Sequence, residues 1–482
     1  MQQIVAAVLA AGQGTRLKSE LLKVLHPVAG RAMVSHVVEA ARSAGVKDVV
    51  VVVGYQAERV EDALGIGVRY IRQEEQLGTG HAVMQSAPLL QGRQGHLLVL
   101  YGDNPLLQPD TIRGLVQRHL STGAAATTLT AIMPDPTGLG RILRDEQGRY
   151  VRTVEEKDAS PEQKAIREVM SGIFCFQMPL IYELLGKLRV DNAQKEYYLT
   201  DVLRLLVEEG RTVEVEVAAD WRDVIGPNTR RQLAQAEAIM RERILDRLMD
   251  EGVSVIDPAS TFVHAGVRVG RDTVLAPFTF LEGSTVVGTG CRIGPSARLV
   301  DSRVEDGGVV VESVVEKSVV GQGAKVGPFS HLRPNSEIGP WAEVGNFAET
   351  KGARLGAGTK AHHHCYLGDV VIGEGANIGA GVVTVNYNGV EKNLTVIGDK
   401  AFIGCNANLL APLHVGEGAY VAAGSTLDQD VPDDALAVAR ARQVNKEGYV
   451  PKLRAKYEER KAARLPGQAA PAAETGKTPP NP

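Results

Sequence analysis

Between Val263 and Val421 apolar residues recur every six positions. They stand at Val263, Val269, Leu275, Leu281, Val287, Ile293 and Leu299, then at Val314, Val320, Val326, Leu332, Ile338 and Val344. The beat continues at Leu355, Ala361 and Leu367, slips to Ile372 and Ile378, and resumes at Ile397, Ile403, Leu409, Val415 and Val421. Small residues often follow, as at Gly270, Gly288, Gly321 and Gly339. An α-helix repeats every 3.6 residues and a strand every two, so neither produces this pattern. A hexapeptide repeat does. Each unit is a short strand and a corner, three units close a triangular coil, and the coils stack into a parallel β-helix with the apolar residues inside. The small residues let the chain turn at the corners.

The repeat occupies only part of 482 residues, which leaves room for one or two further domains. Aromatics make up 5% of the chain and glycines number 52, which suits a glycine-punctuated solenoid beside an aliphatic α/β domain. A net charge of −4 gives no basic footprint, so nothing in bulk points to nucleic acid or an acidic membrane surface as a partner. Cys175, Cys291, Cys365 and Cys405 lack paired spacing and read as free thiols of a reducing cytosol. No apolar run reaches the ~18 residues of a membrane span. The opening MQQIVAAVLAAG has no basic region and reads as a first strand, not a signal peptide.

Upstream of the repeat, strand and helix alternate. Ile4 to Leu9, Val49 to Val53, Val68 to Ile71 and His96 to Leu100 read as buried strands, and Met33 to Ala44 and Pro109 to Leu120 as amphipathic helices. Residues 1–228 should therefore form a doubly wound α/β domain, with ligands beyond the carboxyl ends of its strands. After Gly226-Pro227, Asn228 is a candidate N-cap for a linker helix over 229–251, a stiff spacer holding the domains apart. The solenoid and a basic segment, Arg440 to Arg464, fill 252–464. The Pro/Ala/Gly-rich 465–482 should be a disordered tail.

Two constellations carry chemistry. Gly12-Gln13-Gly14-Thr15-Arg16 follows the first strand, and glycines there let backbone N–H groups approach a phosphate. Alone, this loop also fits a tight strand–helix turn, and it lacks both the Rossmann and the Walker signatures. Lys23, Gln73, the loop Gln76 to His81, and Tyr101-Gly102-Asp103 add cations and a carboxylate at strand ends, which suits a nucleoside triphosphate with Mg²⁺. The second constellation lies between Arg333 and Tyr387, where polar residues crowd the repeat. His362-His363-His364 is a weak metal signal, because adjacent side chains on extended backbone alternate in face. A histidine there suits acyl transfer to an amine, which needs a general base. Asn386 to Asn393 interrupts the beat and should bulge as a loop.

LAAGQGTRL followed by LLKVLH resembles the sugar-nucleotide pyrophosphorylases. With QLGTGHA, YGD, GLGRI, EEKDA, NAQKEYYLTD and the hexapeptide region, residues 1 to about 440 resemble one family. It is that of the bifunctional N-acetylglucosamine-1-phosphate uridyltransferases/glucosamine-1-phosphate acetyltransferases. The resemblance implies a Rossmann-like nucleotidyltransferase domain, a linker helix and a left-handed parallel β-helix. It implies acetylation of glucosamine 1-phosphate by acetyl-CoA, then uridylyl transfer from UTP to N-acetylglucosamine 1-phosphate with Mg²⁺. The product, UDP-N-acetylglucosamine, is a peptidoglycan and lipopolysaccharide precursor, and the enzyme would be a cytoplasmic homotrimer sharing acetyl sites.

Residue by residue, Leu9, Ala10, Ala11, Gly12, Gln73, Gly78 and Thr79 would hold uracil and ribose, beside Tyr101 and Gly102. Gly14, Arg16 and Lys23 would grip the triphosphate, with Arg16 and Lys23 catalytic. Asp103 and Asn228 would hold Mg²⁺. Gly140 and Glu155 would contact the acetamido sugar, with Met170 where the family has Asn. Leu22 stands where the family has Pro. In the solenoid His363 would be the general base and Glu349 its orienting partner. Arg333 and Lys351 would bind the sugar phosphate, and Tyr366, Asn377 and Asn386 the sugar. Asn386 and Ala380 N–H would face the thioester. Tyr387, Ala423 and Arg440 would hold acetyl-CoA, beside Cys405 in place of the usual Ser. The competing expectations are a monofunctional nucleotidyltransferase with a structural β-helix, and a non-catalytic protein of the same architecture.

Overall fold

The computed structural model of the chain describes residues 3–12, 14–190 and 195–463. Gln13 of the glycine loop, Asn192 to Gln194 of the NAQKEYYLTD segment, and the tail expected to be disordered lie outside the described residues.

The amino-terminal sheet is built on β1 (Ile4–Ala10), β2 (Asp48–Val53), β3 (Arg69–Arg72), β4 (His96–Tyr101), β5 (Ala126–Ile132), β6 (Glu168–Gln177) and β7 (Val213–Val217). Their order is β7-β5-β6-β4-β1-β2-β3. β1 runs parallel to both β2 and β4, while β6 is antiparallel to β4 and β5. Alternate β1 residues feed two cores: Val5, Ala7 and Leu9 one, Ala6, Val8 and Ala10 the other. Burial on both faces explains why the strand reads as one apolar run. β3 departs from expectation. It is an edge strand, and its side chains are half-buried or exposed. Between β1 and β4 the chain switches direction across the sheet, which opens a crevice at their carboxyl ends.

The linker helix spans Arg230–Asp250, and two expectations about it change. Its N-cap is Thr229, whose hydroxyl accepts from Gln232 N at 3.2 Å; Asn228 lies one residue before the cap. The helix also does not hold two bodies apart. Ala236, Met240, Ile244, Leu245 and Leu248 are buried with Val28, Met33 and Leu106 on one side and Val253, Val263 and Val267 on the other. Ala265 N donates to Ala29 O at 3.0 Å, and Arg243 donates to Leu106 O at 2.6 Å and to Asp223 at 2.6 Å. The helix is thus a core element of the junction.

Beyond it, among the described residues, three parallel sheets of 11, 10 and 9 strands form the left-handed β-helix. Val263 pairs with Leu281 and Leu275 with Ile293, one coil of 18 residues on. The beat is inward as expected, with one shift. Val315, not Val314, points inward, and Val304 and Val310 precede it, because the coils there are shorter than three full hexapeptides. Thr350 and Thr384 take inward positions without breaking the stack; Thr384 Oγ1 donates to Gly368 O at 2.9 Å. The repeat glycines serve close approach: a Cβ on Gly339 would stand 2.5 Å from Leu355 O in the next coil. The corners themselves use non-glycine residues at positive φ, including Phe329, Trp341 and Phe347. Ile372 pairs with Ile397, 25 residues on, so Asn386 to Asn393 is extruded as a loop. The basic segment contains a helix, Tyr449–Ala462, with no buried residue.

Candidate active sites

The crevice at the ends of β1 and β4 encloses a cavity of about 290 Å³. Leu9 to Gly12, Gly14, Arg16, Lys23, Gln73, Gly78, Thr79, Tyr101, Asp103 and Asn228 line it. Nearly every nucleotide-site residue expected from sequence therefore converges on one place. Gly14 has φ +69, and a Cβ on it would lie 2.3 Å from Lys23 Cβ, so the lysine stem runs where only glycine leaves room. Leu22 supplies what the missing proline would: its φ is −55 and its side chain is buried. Lys23 Nζ donates to the Asp103 carboxylate and, at 2.6 Å, to Asn228 Oδ1. Arg16 donates to the same oxygen at 2.9 Å. A carboxylate and an amide oxygen that share one cation have the chemistry of a cation site.

The opposite wall is the loop before the helix Thr79–Met84. Gln73 Nε2 lies 3.0 Å from His81 Nδ1 and donates to Gly78 O at 3.3 Å. Gly80 N donates to Tyr197 O, and Leu199 N to Thr79 Oγ1, so the NAQKEYYLTD segment closes this side. Burial pushes the Tyr101 phenol up to about 12, so it is a neutral hydroxyl at working pH, beside Thr79. Past Tyr101, where the β5–β6 register shifts, Gly172 packs against its ring. Met170 stands two residues earlier on that strand: its N–H donates to Gly140 O at 3.0 Å, and its sulfur accepts from Thr128 Oγ1 at 3.1 Å. Glu155 lies beside Gly140. Gln76 and Glu196 also line the cavity, two residues that sequence reasoning left without a role although both sit in quoted motifs.

Several solenoid residues gather on one sheet, where Glu349, Lys351 and Tyr366 stand on the adjacent strands Ala348–Lys351 and Cys365–Gly368, which end at a corner of the coil. Arg333 Nη1 donates to Glu349 Oε1 at 2.8 Å, which holds the guanidinium charged. Glu349 pairs across the coils with Tyr366. Asn386 donates to Asp369, which brings the extruded loop to this corner. Lys392 from that loop lies against Lys351 and lowers its pKa by contact and repulsion, with Arg333 adding to the effect. Three cations so gathered form an anion site, and Lys392 was not singled out from sequence, because spacing does not say which coil a loop folds back onto.

His363 lies in the bend that precedes the strand Cys365–Gly368, three positions before Tyr366. There Gly381 N donates to His364 O, Asn406 N to Ala380 O, and Gly424 N to Cys405 O. His363, Ala380, Cys405 and Ala423 thus rise as one column of successive coils. Asn377 lies on the neighbouring sheet, paired with Lys360 and Phe402. The bond Glu349 makes runs to Arg333, not to His363; it is His362 that meets a carboxylate, Glu343, at 2.7 Å. Tyr387 is exposed on the loop, and Arg440 is exposed beyond the last strand, Leu436–Ala437.

Fold and cavity define a nucleotidyltransferase with an appended β-helix. Residues 5–229 match the family model described as nucleotidyl transferase. Over nearly its whole length the chain is similar to curated proteins named bifunctional protein GlmU. That of Brevibacillus brevis is 51% identical over 453 residues, 94% of this chain and 98% of the relative. That of Symbiobacterium thermophilum is 51% identical over 468 residues, 96% of this chain and 99% of the relative. That of a Geobacillus species is 49% identical, covering 93% and 98%. The chain belongs to the family of bifunctional GlmU proteins. Among the described residues no helix is long and apolar enough to cross a membrane.

Proposed function

We propose that the β-helix moves the acetyl group of acetyl-CoA onto the amine of glucosamine 1-phosphate. The α/β region then joins the resulting N-acetylglucosamine 1-phosphate to UTP, giving UDP-N-acetylglucosamine and pyrophosphate in the cytoplasm. One observation carries the reading: Gly14, Arg16, Lys23, Asp103 and Asn228 meet at one cavity, in a chain whose β-helix holds a second, separate cluster. On this reading residues 1–228 form the uridyltransferase domain, 229–251 the linker helix and 252–464 the acetyltransferase domain.

In the first domain Leu9 to Gly12, Gln73, Gly78 and Thr79 hold uracil and ribose, with Tyr101 and Gly102 below. Gly140, Glu155 and Met170 face the sugar, and Met170 offers a thioether where an amide would donate a hydrogen bond. A phosphate oxygen of the sugar attacks the α-phosphorus of UTP as the bond to the β-phosphate breaks. Little proton transfer is needed, so Arg16 and Lys23 act by positioning and by drawing charge off the phosphates. Asp103 and Asn228 present hard oxygen donors that fit Mg²⁺, and the ammonium they share is a stand-in for it. When bound, that ion neutralises phosphate charge.

In the second domain Arg333, Lys351 and Lys392 hold the sugar phosphate, and Tyr366, Asn377 and Asn386 the sugar. His363 takes the amine proton as nitrogen attacks the thioester carbon, and CoA leaves as the thiol once protonated. Ala380, Cys405, Ala423, Tyr387 and Arg440 line the path of acetyl-CoA. Glu349 holds Arg333 in place of the direct orienting role on His363. The extruded loop Asn386 to Asn393 is placed to reach a neighbouring copy, which fits a homotrimer that shares its acetyl sites.

The test supplies glucosamine 1-phosphate, acetyl-CoA, UTP and Mg²⁺ and measures free CoA and pyrophosphate separately. Both should appear. Pyrophosphate only when N-acetylglucosamine 1-phosphate is supplied, with no CoA released, would reduce the β-helix to a scaffold.

A further inference from the structure

The two oxygens assigned to the metal already have a cation. Lys23 Nζ bonds both the Asp103 carboxylate and Asn228 Oδ1, and Arg16 donates to the same Oδ1. The orientation of Asn228 is fixed by its other bonds: Nδ2 donates to Gly226 O at 3.3 Å, and its N–H donates to Gln232 Oε1 at 2.9 Å. Its carbonyl end therefore faces the cations. The lysine is held in place from behind, because its stem runs against Gly14 and its side chain is only 13% exposed. Arg230 adds a clamp on the same segment, donating from Nε to Leu17 O at 3.2 Å.

An ammonium and a divalent ion on this oxygen pair would compete for the same lone pairs and repel each other. Metal–oxygen bonds of about 2.1 Å would set the two positive centres within roughly 4 Å of each other. We infer that Lys23 is the resident counter-ion of the metal site and plugs it until a nucleotide arrives. The triphosphate offers Lys23 and Arg16 a more strongly charged partner than one carboxylate and one amide oxygen. As the ammonium crosses to the phosphates, the Asp103–Asn228 pair is released for the metal. Metal and nucleotide thus load as a unit, and free divalent ions do not fill the empty enzyme. The inference rests on the uridylyl-transfer reading for the identity of the nucleotide; the plug itself rests on the contacts of Lys23.

The experiment titrates Mn²⁺ into the nucleotide-free full chain and reads free Mn²⁺ by electron paramagnetic resonance. Wild type, Lys23→Met and Lys23→Gln are compared, each alone and with Asp103→Asn; the two lysine variants guard against one that misfolds, and thermal melting reports folding. Removing the ammonium should tighten Mn²⁺ binding by about tenfold or more, as expected for one unit charge a few ångströms from a divalent ion near a protein surface. Asp103→Asn in the same background should cancel the gain. A gain below fivefold in both folded lysine variants, or a gain that survives Asp103→Asn, overturns the plug. Pyrophosphate release by the same wild-type preparation separates the two readings. Release without a gain in Mn²⁺ affinity removes the plug alone, and a gain without release removes uridylyl transfer alone.

Discussion

Gly14 shows how a single missing atom shapes the first site. Its positive φ and the Lys23 stem beside it leave no space for a methyl group. Gly14→Ala should displace Lys23 and lower kcat/KM for pyrophosphate release by about a hundredfold, a cost of about 3 kcal/mol in the transition state. CoA release should be unchanged in the same preparation. At the second site, Lys392→Ala should raise KM for glucosamine 1-phosphate about tenfold, the worth of one charge-assisted contact, and leave uridylyl transfer untouched. His119 makes a prediction about pH. It is fully buried, 2.9 Å from His96 Nδ1 and 2.9 Å from Thr127 Oγ1, and burial pushes its pKa down to about 4. The unfolded chain binds this proton near pH 6.5 and the folded chain only near pH 4, so stability is lost as pH falls from 6.5 toward 4. The loss should be on the order of 2–3 kcal/mol. Thermal melts at pH 7.5 and pH 5 should differ less in His119→Asn than in wild type.

Elements were legible where one physical constraint dominated. The hexapeptide beat gave the β-helix because an inward position tolerates only what fits inside the coil, and nearly all of its apolar positions are buried. The shift to Val315 was not legible, since Val314 and Val315 are both apolar and only coil length separates them. β1 and β4 were legible as double-faced strands, whereas Arg69–Arg72 lost one neighbour at the sheet edge, which no local pattern records. The linker helix was legible as a helix but not as a packing element, because its apolar positions do not say what covers them. Its start also matters for the site, since Thr229 caps the helix and Asn228 is fixed by Gln232 one turn in. Thr229→Ala should cost about 1 kcal/mol, read as a lowered melting midpoint. It should also raise KM for UTP, because the cap holds the backbone on which Asn228 is displayed.

Across the whole molecule, the chain separates two chemistries by architecture. An open sheet gathers glycine loops and cations at its switch point, and a stiff prism repeats its corners until polar residues replace inert ones. The residues expected at the first site line one cavity, and they were legible because a loop after a strand has few places to go. The second was legible as a list but not as a geometry, since Glu349 bonds Arg333 and not His363, and Lys392 folds back onto Lys351. The proposed homotrimer, with acetyl sites shared between copies, predicts unequal responses to dilution. Below the concentration at which copies dissociate, CoA release per chain should fall while pyrophosphate release from N-acetylglucosamine 1-phosphate and UTP persists. The most direct test of two independent sites is a paired assay of Lys23→Ala and His363→Ala, each measured for both products. Lys23→Ala should lose pyrophosphate release and keep CoA release, and His363→Ala should do the reverse. Loss of both products in either variant, or wild-type CoA release from His363→Ala, would contradict the account.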